Sequence, residues 1–161
     1  MAALDHIKYL RRANEVAKQA RAAGNTPFGA ILVDGDGEIL LEQGNAEGTL
    51  HDATAHAELT LASRASRKYD KDFLAGCTLY TTCEPCPMCS GGIYWTNIGR
   101  VVFGITESQL LEMTGGDDKN PTFSMGADKV FAAGQKEIAL EGPFAAVSEE
   151  ICQVHAGFWT K

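Results

Sequence analysis

The chain has 161 residues, the length of one ordinary domain, and residues 1–161 are interpreted as a single unit. Hydrophobic residues make up 45% and charged residues 22% of the sequence, which excludes an intrinsically disordered chain. The net charge of −7 argues against nucleic acid as a partner, because phosphate contacts need a basic surface. A small-molecule ligand is the better expectation. No apolar run reaches the roughly 18 residues of a membrane span, and the N-terminal residues do not resemble a signal peptide.

The cysteines are odd in number and unevenly spaced. There are five, and three of them fall within seven residues. A secreted disulfide framework usually has an even count in a shorter chain, whereas clustered thiols are typical of a metal site in a reducing compartment. The sequence therefore predicts a cytoplasmic metalloprotein. The five residues are Cys77, Cys83, Cys86, Cys89 and Cys152.

The first predicted elements are a helix and a hairpin. Apolar residues recur at helical spacing over residues 4–23, and Gly24 supplies a stop. Two apolar runs, 28–33 and 38–41, flank a turn that begins at Asp34, which predicts a β-hairpin. The turn has two aspartates but not the ligand spacing of an EF-hand, so a solvated turn is favoured over a calcium site.

The rest of the chain alternates between strand and helix patterns. That order predicts an α/β fold in which a sheet is covered by helices on both faces. Residues 114–127 are rich in turn formers, and loops of that length in a compact domain are often functional. The predicted elements are helix 54–65, strand 77–82, helix 86–95, strand 100–103, strand 137–140 and helix 147–159.

The residues that carry chemistry come in two groups. His56 and Glu58 lie in the second predicted helix, and Cys86 and Cys89 lie where a strand leads into the third. An imidazole and two thiolates suit Zn²⁺, and three protein ligands leave a fourth position open for water, as in catalytic zinc sites. A helix N-terminus favours thiolates near it. Glu58 is close enough to the histidine to exchange a proton with that water.

Other interpretations of the same cysteines remain open at this point. Cys83 could supply a fourth ligand and close a structural zinc site, which would make the protein a zinc-stabilised binding module. A Cys-x-x-Cys pair alone could also be a redox pair. An iron–sulfur run is disfavoured, because the position expected for its next cysteine is Ile93.

The pairing of H-x-E with P-C-x-x-C is the known signature of zinc-dependent nucleobase deaminases. The sequence resembles the cytidine/deoxycytidylate deaminase superfamily, and within it most resembles bacterial guanine deaminases. The resemblance implies a three-layer α/β/α sandwich on a mixed five-stranded sheet, usually as a homodimer. It also implies that His56, Cys86 and Cys89 bind one zinc ion per chain, that Cys83 is a neighbour, and that Glu58 is the proton shuttle. The stretches that carry it are PFGA (27–30), GN (44–45), TAHAE (54–58), CEPCPMC (83–89) and GIYW (92–95).

The same resemblance implies residues that bind the base. Asn45 would hydrogen-bond the ring edge, Phe28 would stack on its face, and the Ala57 backbone N–H would meet its carbonyl. Trp95 would wall the pocket. Each also has a plainer interpretation: core packing for Phe28, core or interface for Trp95, and a turn for Asn45.

The C-terminal third departs from the pattern. Guanine deaminases of this type use a loop aspartate and an aromatic tail that closes over the base. Ungapped counting selects Asp117 for the first role, with Asp118 as the alternative. For the second role the chain offers the tail FWTK (158–161), in which Phe158 is the expected substrate-binding residue. The expected substrate is free guanine or isocytosine. The alternatives are cytosine or a nucleoside, and a tRNA adenosine.

Overall fold

The computed structural model describes residues 3–118 and 120–159, in which five strands form one sheet surrounded by eight helices. The strands are β1 (Gly29–Val33), β2 (Ile39–Gly44), β3 (Thr78–Cys83), β4 (Arg100–Ile105) and β5 (Ala139–Glu141). The helices are α1 (His6–Ala22), α2 (Glu47–Leu50), α3 (Ala57–Lys68), α4 (Lys71–Ala75), α5 (Pro87–Thr96), α6 (Glu107–Thr114), α7 (Ala127–Ala132) and α8 (Ala145–His155).

The sheet is mixed, as predicted. Its strand order is β2-β1-β3-β4-β5. Strand β1, second in this order, runs antiparallel to both β2 and β3, whereas β3, β4 and β5 run parallel to one another. This arrangement brings the start of β1 to the same end of the sheet as the C-terminal ends of β2, β3 and β4.

Each face of the sheet has its own hydrophobic core. Successive side chains of a strand point to opposite faces, so Leu32 packs beneath α3, α5 and α7, while Ile31 packs beneath α1 and α8. On the second face, β1 lies so close to α1 that a Cβ at Gly29 would collide with the Ala13 carbonyl. The predicted three-layer α/β/α sandwich is therefore confirmed.

The hairpin between β1 and β2 closes on its own aspartate. The Asp34 carboxylate accepts the backbone N–H groups of Asp36 (2.9 Å) and Glu38 (3.0 Å), and Gly37 takes a positive φ of 92°. The carboxylate thus holds the turn, as expected for a solvated turn.

The second predicted helix begins three residues later than expected, at Ala57. Thr54 does not cap it, because its N–H and hydroxyl both donate to the Asp52 carboxylate in a preceding turn. His56 is the N-cap residue instead. This shift places a histidine side chain at the helix start, where it can face a second element.

Sequence periodicity missed the four helices α2, α4, α6 and α7. Helix α6 begins with a capping box between Thr106 and Gln109, a signal that the sequence does contain. At the C-terminus, α8 ends at His155 rather than continuing to 159, and Gly157 adopts a positive φ of 73°. No helix in the described ranges is long and apolar enough to cross a membrane.

Candidate active site

Chain segments that flank four strands, β1 to β4, meet at this end of the sheet and line a cavity of about 560 Å³. Phe28 lies just before β1, and its carbonyl accepts the N–H of Asn45, just after β2 (3.0 Å). Glu84 follows β3, and its N–H donates to the carbonyl of Ile105 at the end of β4. A crevice outside the carboxyl ends of parallel strands is a usual place for ligands in α/β proteins.

The predicted metal ligands lie together at one side of this cavity. One ligand atom from each of His56, Cys86 and Cys89 lies within 4.8 Å of the others, the only such group found among the described residues. His56 is the N-cap of α3 and Cys86 the N-cap of α5, so two helix starts face each other. An imidazole and two thiols at this spacing fit the ligand distances of tetrahedral zinc, about 2.0–2.3 Å from a common centre.

The electrostatics of these groups favour a thiolate at Cys86, whereas the hydrogen bond with Cys86, and then burial, raise the pKa of Cys89. A hydrogen bond from Cys89 and one from His56 lower the pKa of Cys86 to about 4, against the opposing effect of burial. The His56 Nδ1 lies 3.7 Å from the Cys86 Sγ, and this contact raises the pKa of His56 to about 9. The other ring nitrogen, Nε2, lies 3.4 Å from a carboxylate oxygen of Glu47, which orients the imidazole as second partners of metal-binding histidines do.

Cys83 stands apart from the other two clustered thiols. Its Sγ lies 3.9 Å from Nε2 of His155 on α8, and the side chain packs in the core on the α1 and α8 face. The group of metal-ligating atoms found in the described residues does not include it. The geometry therefore favours an open site with three protein ligands over a closed one with four.

Glu58 lies in the first turn of α3, where it lines the cavity and is only 7% exposed. Burial, and then the negative charge of Cys86, raises the pKa of its carboxyl to about 7. A carboxyl that titrates near neutral pH can both accept and donate a proton during turnover.

The structure places Phe28 and Asn45 on the cavity wall, and their contacts with a base stay predictions. Asn45 also holds a turn, because its amide donates to the Glu47 carboxylate (2.8 Å) and its oxygen accepts the Glu47 N–H (3.0 Å). Ala57 is the first residue of α3, between His56 and Glu58, and the N–H groups at a helix start lack intrahelical acceptors. Its contact with a substrate carbonyl stays a prediction.

Trp95 does not wall the cavity of its own chain. Cys86 lies at the cavity, and Trp95 is nine residues further along α5, about 13 Å along the helix axis. Its side chain is 74% exposed. The sequence motif placed the residue correctly on the helix but not at the pocket.

Phe158 likewise lies outside the cavity lining. Its ring packs against the Arg21 guanidinium of α1 (5.4 Å) and against Trp159 (4.8 Å). Trp159 is the aromatic tail residue that approaches Phe28, at 6.1 Å, and its indole N–H donates to His155. Because α8 ends at His155, earlier than predicted, Trp159 rather than Phe158 lies near Phe28. The last two residues of the predicted tail, 160–161, lie outside the described residues.

Of the two loop aspartates, Asp118 rather than Asp117 lies at the cavity in the described part of the chain, the reverse of the prediction from counting. The Asp117 backbone N–H donates to the Thr114 carbonyl (3.0 Å), so the residue continues the end of α6, where it is buried. Asp118 is exposed and lines the cavity, whereas Asp117 is not among the lining residues in the described part of the chain. The placement favours Asp118 for a role at the substrate.

Sequence reasoning missed three acidic residues that also line the cavity: Glu47, Glu84 and Glu107. Glu84 was visible in the CEPC motif, and Glu107 is an acidic residue in the first turn of a capped helix. The Glu84 carboxylate accepts the N–H of Glu107 (3.0 Å) and of Ala127 (2.9 Å), which ties together the starts of α6 and α7. The segment between these helices supplies the outer wall of the cavity through residues 118 and 120–123.

The sequence matches the family of the cytidine and deoxycytidylate deaminase zinc-binding region over residues 4–105. The probable cytosine deaminase of Schizosaccharomyces pombe is 37% identical over 155 residues, covering 95% of this chain and 91% of that protein. The guanine deaminase of Bacillus subtilis is 40% identical over 116 residues, covering 71% and 73% of the two chains. Its solved structure superposes with a TM-score of 0.62 at 30% identity, covering 98% of each chain.

A tRNA-specific adenosine deaminase of Aquifex aeolicus is 39% identical over 101 residues, covering 63% of this chain and 66% of that protein. These relatives share the zinc-binding fold but differ in substrate. The match over residues 4–105 contains both halves of the ligand set, His56 and the two cysteines. This chain therefore belongs to the cytidine and deoxycytidylate deaminase family of zinc-dependent hydrolytic enzymes.

Proposed function

We propose that the protein deaminates a free nucleobase, with guanine or isocytosine as the favoured substrate. The reaction replaces an exocyclic amino group by a carbonyl, consuming one water and releasing one ammonia. The observation that carries the proposal is the position of Glu58 beside the His56–Cys86–Cys89 group, at a cavity that also presents Phe28 and Asn45.

His56, Cys86 and Cys89 would hold the zinc ion, which when bound supplies a water of lowered pKa to attack the amine-bearing carbon. Glu58 moves two protons in turn at its carboxylate: the first goes from the attacking water to the ring nitrogen, and the second goes from the hydroxyl added to the carbon to the departing amine, which leaves as ammonia. Phe28 offers its face to the ring, and the second amide hydrogen of Asn45 can bind a ring acceptor. Asp118, an exposed residue of the cavity lining, can act as a second proton carrier.

The charge of the cavity supports a neutral substrate over a nucleotide or tRNA. Five carboxylic side chains line it, and none of its lining residues in the described ranges is Lys or Arg. The described part of this surface offers phosphate no Lys or Arg side chain, and nucleic-acid binding depends on phosphate contacts. Carboxylates are acceptors for ring N–H and amino groups, which guanine and isocytosine have in number. The acidic lining residues are Glu47, Glu58, Glu84, Glu107 and Asp118.

Cytosine is the second candidate substrate, because the S. pombe relative that matches nearly the whole chain is named a probable cytosine deaminase. Ammonia release from guanine, isocytosine, cytosine, their nucleosides and a tRNA anticodon hairpin separates the candidates. Release from the hairpin alone would contradict the proposal. The cytoplasmic location and the homodimer stay predictions.

We expect the preferred free base to exceed its nucleoside in kcat/KM by at least about a hundredfold, roughly 2.7 kcal/mol. Asp118 and residues 120–123 line the cavity, and Asp118 and Phe123 are exposed, so we expect an attached ribose to meet this wall. Steady-state ammonia release with each pair measures the ratio. Equal rates on base and nucleoside would show that the wall does not close the site.

Asp118→Asn should lower turnover about a hundredfold, the scale of a lost general acid. Asp117→Asn is the matched control, since its side chain is buried outside the cavity lining and its loss should leave turnover closer to wild type. Zinc content should stay constant in both variants. If only Asp117→Asn loses turnover while its melting temperature holds, Asp117 is the carrier.

A further inference from the structure

Glu107 is a buried acid that the mechanism above does not use. It is the first residue of α6, is 6% exposed, and lines the cavity. Its backbone N–H donates to Glu84. Its carboxyl, in contrast, has no hydrogen-bond donor and no cation within 4 Å among the residues that the structure describes, 3–118 and 120–159.

An unpaired buried carboxyl costs folding free energy, so a purely structural explanation for it is weak. Its oxygens are not among the fully enclosed unpaired atoms, so the access they keep is toward the cavity. The groups around it are the acids Glu58 and Glu84 and the Cys86–His56 pair. Burial is the largest influence on this carboxyl: it raises the pKa and favours the neutral acid, which can donate one hydrogen bond and accept another.

The sheet order fixes where this group lies relative to the predicted base-binding residues. Asn45 follows β2 and Glu107 follows β4, with β1 and β3 between them. Three steps of about 4.8 Å from strand to strand place their backbones about 14 Å apart across the sheet. Phe28 and Glu84 occupy the intervening positions. Asn45 and Glu107 therefore lie at opposite ends of this row of four residues, and we expect a bound ring to lie between them.

We propose that Glu107 is a substrate-binding residue that hydrogen-bonds the N–H/C=O edge of the nucleobase, at the end of the cavity opposite Asn45. The proposal rests on the proposed function and adds a recognition group to it. A carboxylic acid matches such an edge in both directions, because it donates to the carbonyl and accepts from the N–H. The substrate thus supplies the partner that the protein does not.

The test compares Glu107→Ala and Glu107→Gln with wild type, using whichever of guanine, isocytosine and cytosine the wild type turns over best. We expect Glu107→Ala to raise KM at least about tenfold, with a smaller change in kcat. Glu107→Gln should keep KM within about threefold, because an amide also donates and accepts. The matched control is Glu112→Gln, an exposed acid on the same helix, which should leave KM unchanged.

Stability separates recognition from structure. Both Glu107 variants should keep zinc and melt at or above the wild-type temperature, since an unpaired buried acid has been removed. A fall in melting temperature with KM unchanged would overturn the proposal and leave Glu107 a structural residue. An unchanged KM in Glu107→Ala would overturn it as well.

Binding provides a readout that does not need turnover. Whichever of guanine, isocytosine and cytosine binds should raise the melting temperature of wild type, and Glu107→Ala should lose most of that rise. If wild type deaminates no free base, the proposed function fails, yet a base-induced shift that depends on Glu107 would still support the binding site. No shift in either protein would overturn it.

Discussion

Glu58→Gln is expected to lower kcat by about 10²–10⁴-fold while one zinc ion per chain is retained. The side chain lies two residues after His56 and is almost fully buried at the cavity, so it faces the reacting groups without belonging to the ligand group. An amide keeps its size and hydrogen-bonding capacity but cannot take up a proton. The loss should therefore appear in turnover rather than in folding or metal content.

The measurements are ammonia release, zinc by elemental analysis, and thermal melting. Glu38→Gln, an exposed acid in the hairpin turn, serves as the charge-matched control and should behave as wild type. Activity of Glu58→Gln above about a tenth of wild type would exclude Glu58 as the main proton carrier. Zinc loss in this variant would instead assign it to the metal.

Local sequence patterns were sufficient for the parts of the site that short segments build. The H-x-E and P-C-x-x-C motifs contain His56 and Cys86, and apolar or β-rich runs predicted all five strands. These features depend on neighbours within a few residues. The ligand group then forms because the fold brings α3 and α5 together over one face of the sheet.

The parts that failed depend on distances across the fold. Trp95 lies in the correct motif, but the length of α5 carries it away from the cavity. Phe158 packs on α1 because α8 ends at His155, and the place beside Phe28 goes to Trp159. Counting along the chain cannot decide which loop aspartate faces the cavity, since α6 sets the rotation of the residues that follow it.

Glu84 and Glu107 show the same difference between what local sequence patterns predict and what depends on the fold. Glu84 and Glu107 follow two parallel strands, and each alone looks like an ordinary helix-start or loop charge. Only the strand order places them beside each other and beside Phe28. The antiparallel strand β1 matters here, because its reversal brings the start of one strand to the ends of three others.

Cys86→Ser and Cys89→Ser are each expected to lose most bound zinc and all measurable turnover, whereas Cys83→Ser should keep both. Serine removes the thiolate ligand, and a site with two remaining protein ligands binds zinc far more weakly. Because bound metal stabilises only the folded state, the two zinc-free variants should also melt at a lower temperature. A chelator should lower the wild-type melting temperature toward theirs and leave theirs unchanged.

Cys83→Ser is the matched control, since it changes a third cysteine of the same motif that contacts His155 rather than the ligand group. Cobalt substitution supplies a second measurement. Wild type and Cys83→Ser should show the same thiolate-to-cobalt absorption, and Cys86→Ser and Cys89→Ser should show less. If Cys83→Ser empties the site as fully as Cys86→Ser does, four protein ligands enclose the metal. In that case no coordination position is left for water, and the catalytic proposal fails with the three-ligand geometry on which it depends.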